Sequence, residues 1–143
     1  MKQRGVPAIR GVVESILYVA DLPVAVTFYR EVLGLEPLTG DGERFQAFDA
    51  GGLGVLLLFK RGGTLVPLPA PRGFIPPHDG AGPHHIAFAI DEADYAGWCE
   101  RLAAHGVAIE SETHWRRGGR SVYFRDPDGH LLELVTPGIW PNY

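Results

Sequence analysis

Residues 14–21 read Glu-Ser-Ile-Leu-Tyr-Val-Ala-Asp and residues 85–92 read His-Ile-Ala-Phe-Ala-Ile-Asp-Glu, the same alternating pattern 71 positions later. A period of two is the signature of a strand with one covered face. Each run ends at an acidic residue that can open a helix. Asp21 is placed to cap one with Pro23 in its first turn, running through Val24, Val26, Phe28, Tyr29 and Val32 to Leu33 and stopping at Gly34. Asp91 can open a second through Tyr95, Trp98, Cys99 and Leu102, stopping at Gly106. Short strands should follow each helix: near Glu36–Leu38, Arg44–Asp49 and Gly54–Phe59 in the first half, and near Val107–Glu110, Arg120–Arg125 and His130–Val135 in the second. Phe48…Leu57 and Phe124…Glu133 share a nine-residue spacing. The plan is β-α-β-β-β written twice.

This repeat predicts an α+β fold of two tandem βαβββ modules, with module one at 12–60 and module two at 84–137 inside a single domain. Residues 61–83 between them are rich in Pro and Gly and are expected to form a connector. Leu65, Leu68, Phe74 and Ile75 give that connector enough apolar surface to fold over a pocket.

The periodicity also separates faces. In the strand opening the second half, Ile86, Phe88 and Ile90 are bulky and should meet the helix, leaving His85, Ala87 and Ala89 on the other side. In the last strand Leu132 and Leu134 face the helix, and Glu133 falls with Leu131 and Val135 on the opposite face. An ionised carboxylate inside Leu-Leu-Glu-Leu-Val is costly to bury unless it is paired or bound to a metal. Glu14 and His85 hold equivalent places in the two halves, and Glu133 shares their face. If a pseudo-twofold relates the halves, Glu14, His85 and Glu133 converge as three ligands for a divalent cation. Each could instead be solvated or ion-paired with one of the 13 basic residues.

Composition narrows the partners. The 143 residues carry 13 Lys+Arg against 17 Asp+Glu, a net charge of −4, so no global basic surface suits nucleic acid or an anionic membrane. No apolar run approaches the ~20 residues of a membrane span, and the charged start Met1-Lys2-Gln3-Arg4-Gly5 leads into no apolar signal region. One cysteine, Cys99, excludes an internal disulfide and a cysteine zinc finger, which points to a reducing cytoplasm.

Four segments carry a family resemblance: Ile16-Leu-Tyr-Val-Ala-Asp-Leu22, Phe28-Tyr-Arg-Glu-Val-Leu-Gly-Leu35, Gly82-Pro-His-His-Ile-Ala-Phe88 and Tyr123-Phe-Arg-Asp-Pro-Asp-Gly-His-Leu-Leu-Glu-Leu134. In these the chain resembles the vicinal oxygen chelate superfamily, which includes glyoxalase I, extradiol dioxygenases, fosfomycin-resistance thiol transferases and bleomycin-resistance proteins. The resemblance implies a cupped mixed sheet with helices on its outer face, built around one divalent metal (Fe, Mn, Zn or Ni) in a homodimer. It implies an enzyme, of lyase or dioxygenase type first, acting on a small molecule that chelates through neighbouring oxygens for isomerase, lyase, transferase or oxygenase chemistry. The alternative is a metal-free protein that sequesters a small-molecule drug. Metal ligands in such proteins occupy four equivalent strand positions, here Glu14, His85, Glu133 and Leu57. A leucine cannot ligate, which departs from the glyoxalase I pattern, and Glu14 departs from the two-His, one-Glu set of the dioxygenase and thiol-transferase branches.

Around that site Tyr18 and Tyr123 share the cavity face and could donate to an oxyanion. Phe45, Phe59, Phe74 and Trp115 are candidate walls of the cup. Arg117 and Arg120, with Arg116, flank Gly118-Gly119 and could clamp an anionic substrate. His84 is expected to point away from His85 and not to be a ligand, His105 and His130 are expected to be structural, His78 is unassigned, and Cys99 is expected to fill core.

Overall fold

A computed structural model describes residues 4–143; Met1, Lys2 and Gln3 of the charged start lie outside the described part. Module one contributes β1 (Glu14–Val19), α1 (Leu22–Glu31), β2 (Glu36–Gly40), β3 (Phe45–Asp49) and β4 (Val55–Lys60). A short hairpin follows, β5 (Leu68–Ala70) and β6 (Gly73–Ile75). Module two contributes β7 (His85–Ala89), α2 (Tyr95–Ala104), β8 (Ser111–His114), β9 (Arg120–Arg125) and β10 (Leu131–Val135). The sheets have orders β1-β4-β3-β2 and β7-β10-β9-β8, so the two halves share one topology. In each, the first strand pairs in parallel with the last and the remaining pairs are antiparallel.

The pairing registers place the repeat residue by residue. Ile16, Leu57 and Ala47 lie abreast in one sheet, as Ala87, Glu133 and Tyr123 do in the other. Glu14 pairs with Val55 just as His85 pairs with Leu131. Leu57 is therefore the counterpart of Glu133.

One face of each sheet packs against the helices. Leu17, Val19, Leu56, Leu58 and Phe48 from the first sheet join Val122, Phe124, Leu132 and Leu134 from the second in one buried cluster, together with Tyr29 of α1 and Leu102 of α2. Each such side chain stabilises the fold by about 2 kcal/mol through apolar burial. Asp21 caps α1 as expected, its Oδ1 accepting from Val24 N at 3.1 Å. The second helix differs. Asp91 makes no side-chain cap bond, and a 3₁₀ turn over Glu92–Asp94 precedes α2. Arg101 of α2 in turn donates to the carbonyls of Val32 (2.7 Å) and Glu31 (2.6 Å), two of the unpaired acceptors that end α1.

Two expectations need correction. The second strand of module two is Ser111–His114, not Val107–Glu110. Val107 and Ile109 are spent against the helix core, and the strand registered with β9 runs from Ser111, one residue after Glu110 N bonds the Tyr123 carbonyl at 2.8 Å. The 61–83 connector also has structure of its own: β5 and β6 form a hairpin with a left-handed Arg72 (φ 59) at its turn.

The Asp-Pro-Asp-Gly-His turn before β10 joins the modules. Tyr29 Oη donates to Asp126 Oδ2 at 2.6 Å, Ala20 N to Asp128 Oδ1 at 2.7 Å, and His130 Nε2 to the Tyr18 carbonyl at 2.6 Å. The other nitrogen of His130 accepts from His84 N at 2.8 Å, so this fully buried imidazole is satisfied on both sides. The structural expectation for His130 thus has a specific content.

Candidate functional site

The faces turned away from the helices carry the candidate chemistry. On the second sheet that face presents His85, Ala87 and Ala89 from β7, Glu133 from β10, and Ser121 and Tyr123 from β9. Glu133 is 4% exposed, although its neighbours Ala87 and Ala89 are open to solvent. Its Oε1 lies 3.2 Å from Nε2 of His85, whose side chain is 49% exposed. The other ring nitrogen, Nδ1, bonds the Leu131 carbonyl at 2.9 Å. A carbonyl only accepts, so Nδ1 bears the proton and Nε2 is the nitrogen turned to the carboxylate. Glu133 Oε2 accepts from Ser121 Oγ at 2.5 Å, and Ser121 Oγ accepts from Trp115 Nε1 at 2.8 Å.

This donor set fits a metal. An imidazole nitrogen oriented by a backbone carbonyl, beside a buried carboxylate, is the usual form of a ligand pair with its supporting bonds. A spacing of 3.2 Å is one that two donors with bonds of about 2.1 Å to a common ion can share. Among the described residues, however, no three His, Cys, Asp or Glu side chains come together as a metal-holding group. Glu14 sits exposed at the start of β1 and does not join His85 and Glu133 within one chain.

Tyr123 lies beside Glu133 in the register, with its ring centroid 6.3 Å from that of His85. Burial, then the Glu133 charge, pushes its phenol up, so it stays a proton donor at neutral pH. Tyr18 is placed differently. Its hydroxyl bonds Thr64 Oγ1 (3.1 Å) and His78 Nδ1, both from the connector. A Cβ at Gly80 would stand 2.5 Å from its ring, so the connector approaches as closely as a glycine allows. Tyr18 is thereby committed to holding the connector rather than free to meet a ligand, and His78 acquires a role that the sequence left open.

Phe45 and Phe59 stack on this same cluster (centroids 5.9 Å apart), where Phe59 and His78 line a cavity of only about 40 Å³ with Thr64, Leu68 and Ile75. Phe74 is 63% exposed in the middle of β6, paired with Pro69. These three aromatics lie with module one and its connector, not around Glu133. Trp115 does reach the site, through Ser121. Arg120 points to the opposite side of β9. Its guanidinium stacks 4.0 Å over the Tyr95 ring and pairs with Glu92 at 3.5 Å, so strand alternation removes it from the site face. Arg117 is exposed in the turn before β9. The residue that sequence reasoning passed over is Ser121. Its alternation with Tyr123 places it on the site face, but a serine in a strand carries no signal until its partner is known.

Comparison with known proteins accords with this architecture. The chain is 35% identical over 118 residues to a glutathione transferase FosA of Serratia marcescens, covering 82% of this chain and 74% of that one. It is 32% identical over 132 residues to a metallothiol transferase FosB of Staphylococcus epidermidis, covering 92% and 86%. A crystal structure of a lactoylglutathione lyase from Agrobacterium tumefaciens superposes with a TM-score of 0.84 at 31% identity, covering 94% of this chain and 99% of that one. The family profile matching residues 11–134 spans both modules and the connector, and the chain belongs to the glyoxalase/bleomycin resistance protein/dioxygenase superfamily.

Proposed function

We propose that this protein is a divalent-metal-dependent thiol transferase, acting in the cytoplasm as a homodimer on a small substrate that offers neighbouring oxygens. The observation that carries the metal reading is the Glu133–His85 pair: a carboxylate 4% exposed, 3.2 Å from an imidazole nitrogen whose partner nitrogen is fixed on a backbone carbonyl. Among the isomerase, lyase, transferase and oxygenase chemistries that the sequence left open, the names of the similar curated proteins favour transfer of a thiol. His85 Nε2 and Glu133 Oε1 would hold the ion together with Glu14 from a second copy of the chain. Two carboxylates and one imidazole suit Mn²⁺ or Fe²⁺ best, with Zn²⁺ and Ni²⁺ as weaker matches.

When bound, such an ion supplies Lewis acidity that stabilises negative charge developing on a substrate oxygen. Around it the chain's own groups have separate tasks. Leu131 holds the His85 ring in place through its carbonyl. Tyr123, kept protonated, donates toward an oxygen that gains charge. Ala87 and Ala89 leave the face open for the substrate to lie along it. The chain offers no thiol of its own for transfer: half-buried Cys99 lies on α2, and burial with the nearby Glu112 pushes its pKa up. The thiol arrives with a second substrate.

Elemental analysis of protein purified without chelator or metal-affinity resin tests the proposal. About one equivalent of divalent metal per chain is expected, and none in Glu133→Ala. Mixing Glu14→Ala with Glu133→Ala chains, each metal-free alone, should restore about a quarter of the sites, because half the dimers are then mixed and each holds one intact site. No metal in the wild type after exposure to a panel of divalent ions would reject the metal reading in favour of a sequestering protein. Metal binding without recovery on mixing would reject the shared site.

A further inference from the structure

Ser121 is fully buried, and its hydroxyl lies between two groups that determine its direction. Trp115 Nε1 can only donate, so Ser121 Oγ accepts there at 2.8 Å, and its single proton goes to Glu133 Oε2 at 2.5 Å. The support behind this relay is tight. The Trp115 backbone closes a turn, with Trp115 N bonded to Gly119 O (2.8 Å) and Gly118 N to Trp115 O (2.9 Å). The Ser121 carbonyl accepts from Tyr95 Oη at 3.2 Å, which ties the strand to α2. The two oxygens of Glu133 are therefore inequivalent: Oε2 is turned to the hydroxyl and Oε1 to His85.

We propose that Ser121 and Trp115 are positioning residues that hold Glu133 as a one-oxygen metal ligand, occupying Oε2 so that only Oε1 is presented beside His85. The inference rests on the metal reading above and adds to it how the carboxylate is aimed. A carboxylate free to rotate on a strand could chelate through both oxygens or swing to solvent. A short bond from a buried serine, itself oriented by an indole, removes that freedom before the ion arrives. Supporting bonds of this kind are worth about 10–100-fold in metal affinity.

Mn²⁺ titration of the metal-free protein, read by calorimetry and electron paramagnetic resonance, tests the assignment. Glu133→Gln shows first that the titration reports on this site, by loss of binding. Ser121→Ala is then expected to weaken Mn²⁺ binding about 10-fold or more and to alter the zero-field splitting of the bound ion, as coordination changes from one oxygen to two. Ser121→Thr, which keeps the hydroxyl, should return toward wild-type affinity and spectrum. Trp115→Phe keeps an aromatic ring but removes the pyrrole part of the indole with its N–H; it should shift affinity in the same direction by a smaller factor, and it carries the test if Ser121→Ala does not fold. Unchanged affinity and spectrum in Ser121→Ala and Trp115→Phe, even with a lowered melting temperature, would mean that the relay only satisfies a buried carboxylate, and the proposal fails. Failure of the wild type to bind Mn²⁺, Fe²⁺, Zn²⁺ or Ni²⁺ would instead refute the metal reading and take this proposal with it.

Discussion

Replacing Tyr29 by Phe removes one oxygen from the joint between the modules and leaves the ring. That ring is fully buried, tilted against Phe48 at 6.3 Å and edge-on to Phe28 at 5.4 Å, so its packing survives the change. What is lost is a 2.6 Å bond to Asp126 Oδ2. Asp126 Oδ1 keeps the backbone N–H groups of Asp128 and His130, both at 2.9 Å, while Oδ2 loses its phenol. A hydrogen bond to a charged group contributes about 1.5–3 kcal/mol, so a loss of roughly 2 kcal/mol is expected. For 143 residues the unfolding entropy is roughly 0.3 kcal/mol/K, which converts that loss to a melting temperature lower by about 7 °C in calorimetry. A second signature is its pH dependence. Burial, then the charge of Asp126, raises the Tyr29 phenol above its ordinary value of 10.0. Below pH 10 both folded and unfolded chains hold that proton, and the wild-type advantage is constant. Above pH 10 the unfolded chain releases it first, so the wild type loses stability that the Phe variant does not, and the gap narrows. A drop under about 2 °C at pH 7, or a gap that widens in alkali, would refute the reasoning.

Other sites offer independent checks. Arg101→Met strips two donors from the end of α1 and should cost about 1–2 kcal/mol, with faster amide exchange in that last turn; unchanged exchange there would contradict the capping role. Gly138→Ala should lower the unfolding free energy read from urea titration by more than about 1 kcal/mol, because φ is +111° and a Cβ would stand 2.5 Å from Gly119 N, whereas Gly73→Ala, with open space around it, should be nearly silent. Asp41 accepts from the backbone N–H groups of Glu43, Arg44 and Phe45 in the turn before β3, and those bonds hold its carboxyl below the ordinary 3.8. Asp41→Ala should therefore melt lower at neutral pH, and the difference from wild type should vanish as acid protonates the carboxyl below about pH 3.8; a difference that persists at pH 2 would count against it.

The repeat was legible because it rests on local signals. Alternation, an Asp cap, a glycine stop and a nine-residue spacing each survive folding unchanged, and the register between Leu57 and Glu133 follows from counting alone. β8 was misplaced because Val107 and Ile109 alternate like a strand but are used to cover the helices. The candidate site was legible in part. Glu133 stood out as a carboxylate amid leucines, and His85 by its place in the repeat. Arg120 sits one residue from the site face, and loop proximity in sequence did not reveal that Tyr95 would claim its guanidinium. Tyr18 shares the face of Glu14, yet its hydroxyl is taken by Thr64 and His78, partners 46 and 60 residues away that no local pattern announces.

The Asp-Pro-Asp-Gly-His turn is the most recognisable segment of the chain, and its side chains are consumed in fastening one module to the other through Tyr29, Ala20 and the Tyr18 carbonyl. A hinge pin of this kind is indifferent to what is mounted on the leaves. A changed residue at an equivalent position of the two sheets, as Leu57 is the counterpart of Glu133, leaves the fastening intact, and losing the fastening would unseat both halves whatever their chemistry. Evolution can therefore rewrite the reaction without disturbing the segment by which the lineage is recognised, so that segment testifies to ancestry and says nothing about which reaction is run.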